Sequence, residues 1–136
     1  HSGSGKSTIL NLIPRFYDPS SGQVNVDNQN ISEVSLYSLR KNVSLVSQDI
    51  ILFDDTIHAN IAYANLNASN NQIEAACEFA AAKEFIEKLP QSYQTVVGEN
   101  GVRLSGGQKQ RISIARALYR VSQILVLDEA ISNLNL

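Results

Sequence analysis

Four consecutive apolar residues, Ile124-Leu125-Val126-Leu127, end abruptly in two acids, Asp128 and Glu129. So short a run with no polar alternate reads as a strand buried on both faces. Such strands belong to parallel sheets covered by helices, so the chain is expected to be α/β. The two acids would then stand at the C-terminal edge of the sheet, where open α/β sheets bind ligands.

The rest of the chain fits that class. The opening His1-Ser2-Gly3-Ser4-Gly5-Lys6-Ser7-Thr8 gives way to Ile9, Leu10, Leu12 and Ile13, a helical spacing of apolar residues. Pro19-Ser20-Ser21-Gly22 signals a turn, and Val24 and Val26 then alternate with polar residues as in a half-buried strand. Residues 35–41 read as a short helix, and Val43-Ser44-Leu45-Val46 as a second strand ending at Ser47-Gln48. From 56 to about 88 the apolar period is helical, closed by Pro90. A polar loop leads to Leu104-Ser105-Gly106-Gly107-Gln108 and one more helix, with Ile112, Ala115 and Leu118 on one face. This order predicts a parallel-sheet core with an all-helical insert after Gln48.

Three motifs carry chemistry. In Ser2-Gly3-Ser4-Gly5-Lys6-Ser7-Thr8, glycines free successive backbone N–H groups to turn around phosphate oxygens, and the following helix adds its positive end. Lys6 takes the position that reaches β/γ-phosphates, and Ser7 the position whose hydroxyl ligates Mg²⁺. The full pattern is G-x-x-x-x-G-K-S/T, and its first glycine would fall one residue before His1. An apolar strand ending in two acids is common alone, but downstream of a phosphate-binding loop it gains weight. Asp128 is then the candidate Mg²⁺ ligand, and Glu129 the candidate to orient and polarise an attacking water.

The third motif, Leu104-Ser105-Gly106-Gly107-Gln108, reads as a helix start with Ser105 near the cap. Gly106 and Gly107 leave the first amides open to a phosphate. A Ser-Gly-Gly-Gln run should arise by chance in a chain this long with probability on the order of 10⁻³.

That motif matches the LSGGQ signature, and with it the chain resembles the nucleotide-binding domains of ABC-type ATPases. The resemblance implies a P-loop NTPase (RecA-like) core, 1–50 and 121–136, with a helical signature subdomain, 51–120. Gln48 matches the family's Q-loop glutamine, which senses the γ-phosphate through Mg²⁺ and water and contacts the transmembrane partner. Thr95-Val96-Val97-Gly98-Glu99-Asn100-Gly101 looks like the TxVGExG stretch of exporters. Arg15-Phe16-Tyr17-Asp18-Pro19 and Leu52-Phe53-Asp54-Asp55-Thr56-Ile57 are also similar to exporter half-transporters, above all bacterial lipid A flippases.

In that family two such domains close head to tail around two ATP molecules, each held between the P-loop of one and the signature of the other. The resemblance therefore implies that Ser105, Gly106, Gly107 and Gln108 meet a partner's nucleotide, not the one at Lys6. It implies ATP and Mg²⁺ as cofactors, a second nucleotide-binding domain and a membrane domain as partners, and a place on the cytoplasmic face of the inner membrane. The function it implies is ATP hydrolysis powering substrate translocation.

Other features bound the reading. A formal net charge of −2 offers no basic field for nucleic acid. The chain has no methionine and starts at His1, so it is expected to be an excerpt truncated at both ends, with little ATPase activity as an isolated piece. His58 is expected at the surface and Cys77 in the core. Lys109, Arg111, Arg116 and Arg120 form a basic helix face, two of them candidates to orient the signature helix. Where the family usually reads DEATSALD, this chain has Ile131, Asn133 and Asn135, the last in place of a carboxylate. The alternative reading is thus a hydrolysis-impaired or degenerate module, and a third is a soluble ABC ATPase without a membrane partner.

Overall fold

The computed structural model describes residues 5–63, 65, 67 and 69–128. Its centre is a parallel pair of strands, β3 (Val43–Val46) and β6 (Ile124–Leu127), in the register Val43↔Ile124 to Val46↔Leu127. Alternation along these strands sends side chains to opposite faces. On one face Val43 and Val126 join Ile31 and Leu39 in a small core, over which Leu10 of α1 (Lys6–Leu12) and Ile13 just after it pack. On the other face Val46 enters the larger core.

The sheet layer departs from expectation in two respects. Leu125 is 38% exposed, so β6 is not buried on both faces. Among the described residues it has one strand neighbour, and Leu125 belongs to neither core. The expected strand at Val24 and Val26 shrinks to β1 (Asn25–Val26), which pairs antiparallel with β2 (Gln29–Asn30). Asp27 and Asn28 take positive φ in the hairpin, which Asp and Asn tolerate best among non-glycine residues.

The helical block forms as expected and consists of three helices. α3 (Ile57–Ala62) starts at Thr56, whose hydroxyl accepts from the Ala59 amide. α4 (Asn70–Phe79) starts at a capping box between Ser69 and Gln72. Ala81, at φ 53°, ends that run before α5 (Lys83–Glu87). The apolar period bridges these breaks because all three helices face one core. α6 (Gly106–Tyr119) supplies the centre of that core with Ile112, Ile114 and Ala115, packed against α3 and α4. Cys77 is 0% exposed there, and burial pushes its thiol up to about 12. α2 (Leu36–Asn42), capped by Ser35, sets Leu39 in the smaller core. None of the described helices is long and apolar enough to cross a membrane.

Candidate functional site

Parallel pairing decides what meets at the sheet edge. Because Val46 and Leu127 are in register, the residues that follow them emerge side by side. The Asp128 amide donates to the Val46 carbonyl at 2.9 Å, extending the ladder one step. Asp128 is thereby held at 7% exposure beside the chain that runs through Ser47 into Gln48. Ser47 donates its hydroxyl to the Asp49 carbonyl at 2.8 Å, a local turn that leaves Gln48 exposed. Two of the three expected metal-site residues thus stand at adjacent strand ends.

The third, Ser7, lies in the first turn of α1 with Lys6 and Thr8, all three exposed. Gly5 caps this helix in the left-handed region, φ 79°, and its carbonyl accepts from the Ile9 amide at 3.0 Å. A residue with a Cβ would strain that turn. The Tyr17 hydroxyl donates to the Thr8 carbonyl at 3.1 Å, fixing the loop after α1 back onto its first turns. Ser2, Gly3 and Ser4 lie outside the described residues, as do Glu129 and the altered positions Ile131, Asn133 and Asn135.

Ser7, Gln48 and Asp128 offer hydroxyl, amide and carboxylate oxygens. An all-oxygen donor set with one carboxylate suits Mg²⁺, which keeps several waters and shares its shell with substrate phosphates. Among the described residues no three His, Cys, Asp or Glu side chains cluster as a dedicated metal cage.

The second anion-ready element is the start of α6. Ser105 caps it: its hydroxyl accepts from the Gln108 amide at 3.2 Å, while its own amide donates to the Gln108 side-chain oxygen at 2.9 Å. This capping box satisfies two end groups and holds the turn rigid. Space is open around Gly106 and Gly107, where an added Cβ would meet nothing within 4 Å. Their amides, at a positive helix end, are therefore free to donate to an approaching phosphate.

A stretch bordering the larger core was invisible to motif reading except as a likeness. β4 (Asp55–Thr56) pairs with β5 (Val96–Val97), and the Ile57 amide donates to the Thr95 carbonyl at 3.0 Å. Asp54 accepts from the Asn100 amide at 2.8 Å and from the Asn100 side chain. These donors hold the Asp54 carboxyl below its usual range. His58, expected at the surface, is half-buried, its Nε2 3.0 Å from the Asn70 side-chain oxygen. The expected basic face is also uneven: Arg120 is exposed, but Arg116 turns inward onto Asn60.

Comparison with known proteins agrees with this geometry. The ABC transporter family matches residues 1–132. The ATP-dependent lipid A-core flippase of Legionella pneumophila (strain Paris) is 56% identical over 135 residues, covering 99% of this chain and 23% of the flippase. ABC transporter B family member 2 of Dictyostelium discoideum is 53% identical over 134 residues, covering 98% of this chain and 10% of that protein. A solved structure of a bacterial Atm1-family ABC exporter with ATP bound superposes with a TM-score of 0.92 at 50% identity, covering 99% of this chain and 24% of that one. The chain therefore spans about a quarter or less of the relatives it matches. With a family match over nearly its whole length and a shared P-loop NTPase fold, the chain belongs to the ABC transporter family.

Proposed function

We propose that this chain is the nucleotide-handling part of an ABC exporter, binding and hydrolysing ATP to drive a substrate, lipid A-like lipids among the candidates, across a membrane. The observation that carries the reading is the parallel β3–β6 register, which brings Gln48 and Asp128 to one edge. On this reading residues 1–50 and 121–136 form the nucleotide core and 51–120 the signature subdomain; the smaller core, built wholly within 1–50 and 121–136, supports the division, while Val46 and Leu127 reach across it into the larger core.

The roles follow from charge and reach. Ser2 to Thr8 wrap the phosphates with backbone amides, and the Lys6 ammonium meets the β/γ-phosphate charge. Ser7, Gln48 and Asp128 hold Mg²⁺, which when bound neutralises phosphate charge. Glu129, the next residue in sequence after Asp128, orients and polarises the water that attacks the γ-phosphorus. Ser105 to Gln108 bind the nucleotide held by a second ABC domain docked head to tail. A membrane domain attached to the pair, on the cytoplasmic face of the membrane, takes up the closure.

Glu129→Gln in the full-length protein that contains this sequence tests the reading. The carboxamide keeps the shape but cannot take a proton, so ATP binding should persist, turnover should vanish and closed dimers should accumulate. Turnover within tenfold of the parent would remove Glu129 from its role.

A further inference from the structure

We propose that Asn60 and Arg116 are positioning residues for ATP turnover: they clamp the segment just after Gln48 to the helix bearing Ser105–Gln108, so that both nucleotide-facing elements move as one body. The inference rests on the function proposed above for those two elements.

The segment needs such a clamp. Residues 51–54 form no helix or strand, and their backbone groups must find partners elsewhere. Asn60, 0% exposed on α3, supplies them. Its side-chain oxygen accepts from the Phe53 amide at 2.9 Å, and its side-chain nitrogen donates to the Phe53 and Thr56 carbonyls, each at 3.0 Å. Both backbone groups of Phe53 are thus paired to one side chain, as if to a neighbouring strand.

Arg116 joins this unit to α6. Its Nε donates to the Asn60 carbonyl at 2.7 Å, Nη2 to the Asn60 side-chain oxygen at 2.9 Å, and Nη1 to the Ile51 carbonyl at 3.2 Å. The guanidinium also lies 5.2 Å from the centre of the Phe53 ring. Only Asp49 and Ile50 separate Gln48 from the anchored Ile51. At the other end, α6 runs unbroken from Ser105 to Arg116, about 16 Å at 1.5 Å per residue. Partly burying a guanidinium is costly unless its donors are used, and here a fork that lysine cannot reproduce reaches three acceptors on two chain segments. Apolar packing would hold these elements together; directional bonds also set their angle.

Arg116→Lys and Asn60→Asp in the full-length protein test the proposal. The lysine keeps charge without the fork; the aspartate keeps an acceptor for Arg116 but removes the donors to Phe53 and Thr56. Each variant should lower kcat on the order of tenfold, with KM for ATP and affinity for a non-hydrolysable ATP analogue within about twofold. The double variant should be hardly worse than the poorer single one, since both cut one link. Unchanged kcat in a folded variant would overturn the proposal. So would parallel losses of kcat, nucleotide affinity and thermal stability, or failure of both variants to fold, since these residues would then be purely architectural. A parent protein that neither binds nor hydrolyses Mg·ATP would instead overturn the underlying function.

Discussion

The proposed function gives Ser105 two jobs that one substitution can separate. Its hydroxyl caps α6 through the Gln108 amide, and its place beside Gly106 and Gly107 puts it where a partner's phosphate would arrive. Ser105→Ala removes the cap at a cost of about 1 kcal/mol. If the first turn of α6 opens locally, its amides should exchange with solvent roughly fivefold faster. Ser105→Asp restores a capping oxygen and adds a charge that favours the helix start, so protection should return to the parent level or above. The same carboxylate repels a phosphate. At about 5 Å and an effective dielectric constant near 20, the penalty is about 3 kcal/mol, on the order of a hundredfold in turnover.

The two variants should therefore rank oppositely. Protection of the Gln108 and Lys109 amides, read by hydrogen-exchange mass spectrometry, should be lowest in Ser105→Ala. ATPase activity of the full-length protein should be lowest in Ser105→Asp. If Ser105→Asp recovers both, no phosphate approaches this helix end. If Ser105→Ala leaves exchange unchanged, the cap contributes nothing to local stability.

Gly98 sits at φ 105°, and an added Cβ would come within 2.6 Å of the Asp54 carboxylate and 2.8 Å of its Cα. Gly98→Ala should destabilise the protein by about 1–3 kcal/mol, measurable as a lowered Tm. Asp54 has a depressed folded-state pKa, so its clasp on Asn100 contributes above the ordinary carboxylate value of 3.8 and is lost as pH falls through the lower folded value. Exchange protection at the Asn100 amide should persist just below that ordinary value, and Asp54→Asn should weaken it at every pH. Cys77, buried with its pKa pushed up to about 12, should resist alkylation near pH 8 until the protein is denatured. Ile112→Ala, at the centre of the larger core, should cost about 2–5 kcal/mol, read from the Tm.

Some of this architecture was legible because its signals are local. Ser105 and Gln108 three residues apart before a helical period are enough to predict a cap, and the capping box forms. The strand at Val43–Val46 and the core placement of Cys77 follow from apolar pattern alone. The helical insert was legible as helical but its breaks were not, because one apolar period ran through α3, α4 and α5 while Ala81 and the Ser69 cap broke the chain beneath it. Arg116 misled more deeply. On a helical wheel it belongs with Arg120 and Lys109, and acceptors on Asn60 and Ile51, 56 and 65 residues earlier, turn it inward.

The residue order by itself determined the phosphate-loop sequence, the acidic strand tip, the capped signature helix and the α/β class, since each depends on neighbours within a few positions. Tertiary structure alone decided that Asp128 stands beside the chain leading to Gln48, that β6 keeps one face partly open, and that Asn60 and Arg116 tie a bare loop to α6. Those outcomes depend on strand register and on pairing across more than fifty residues of chain, and no local periodicity encodes which distant backbone carbonyl a guanidinium will find.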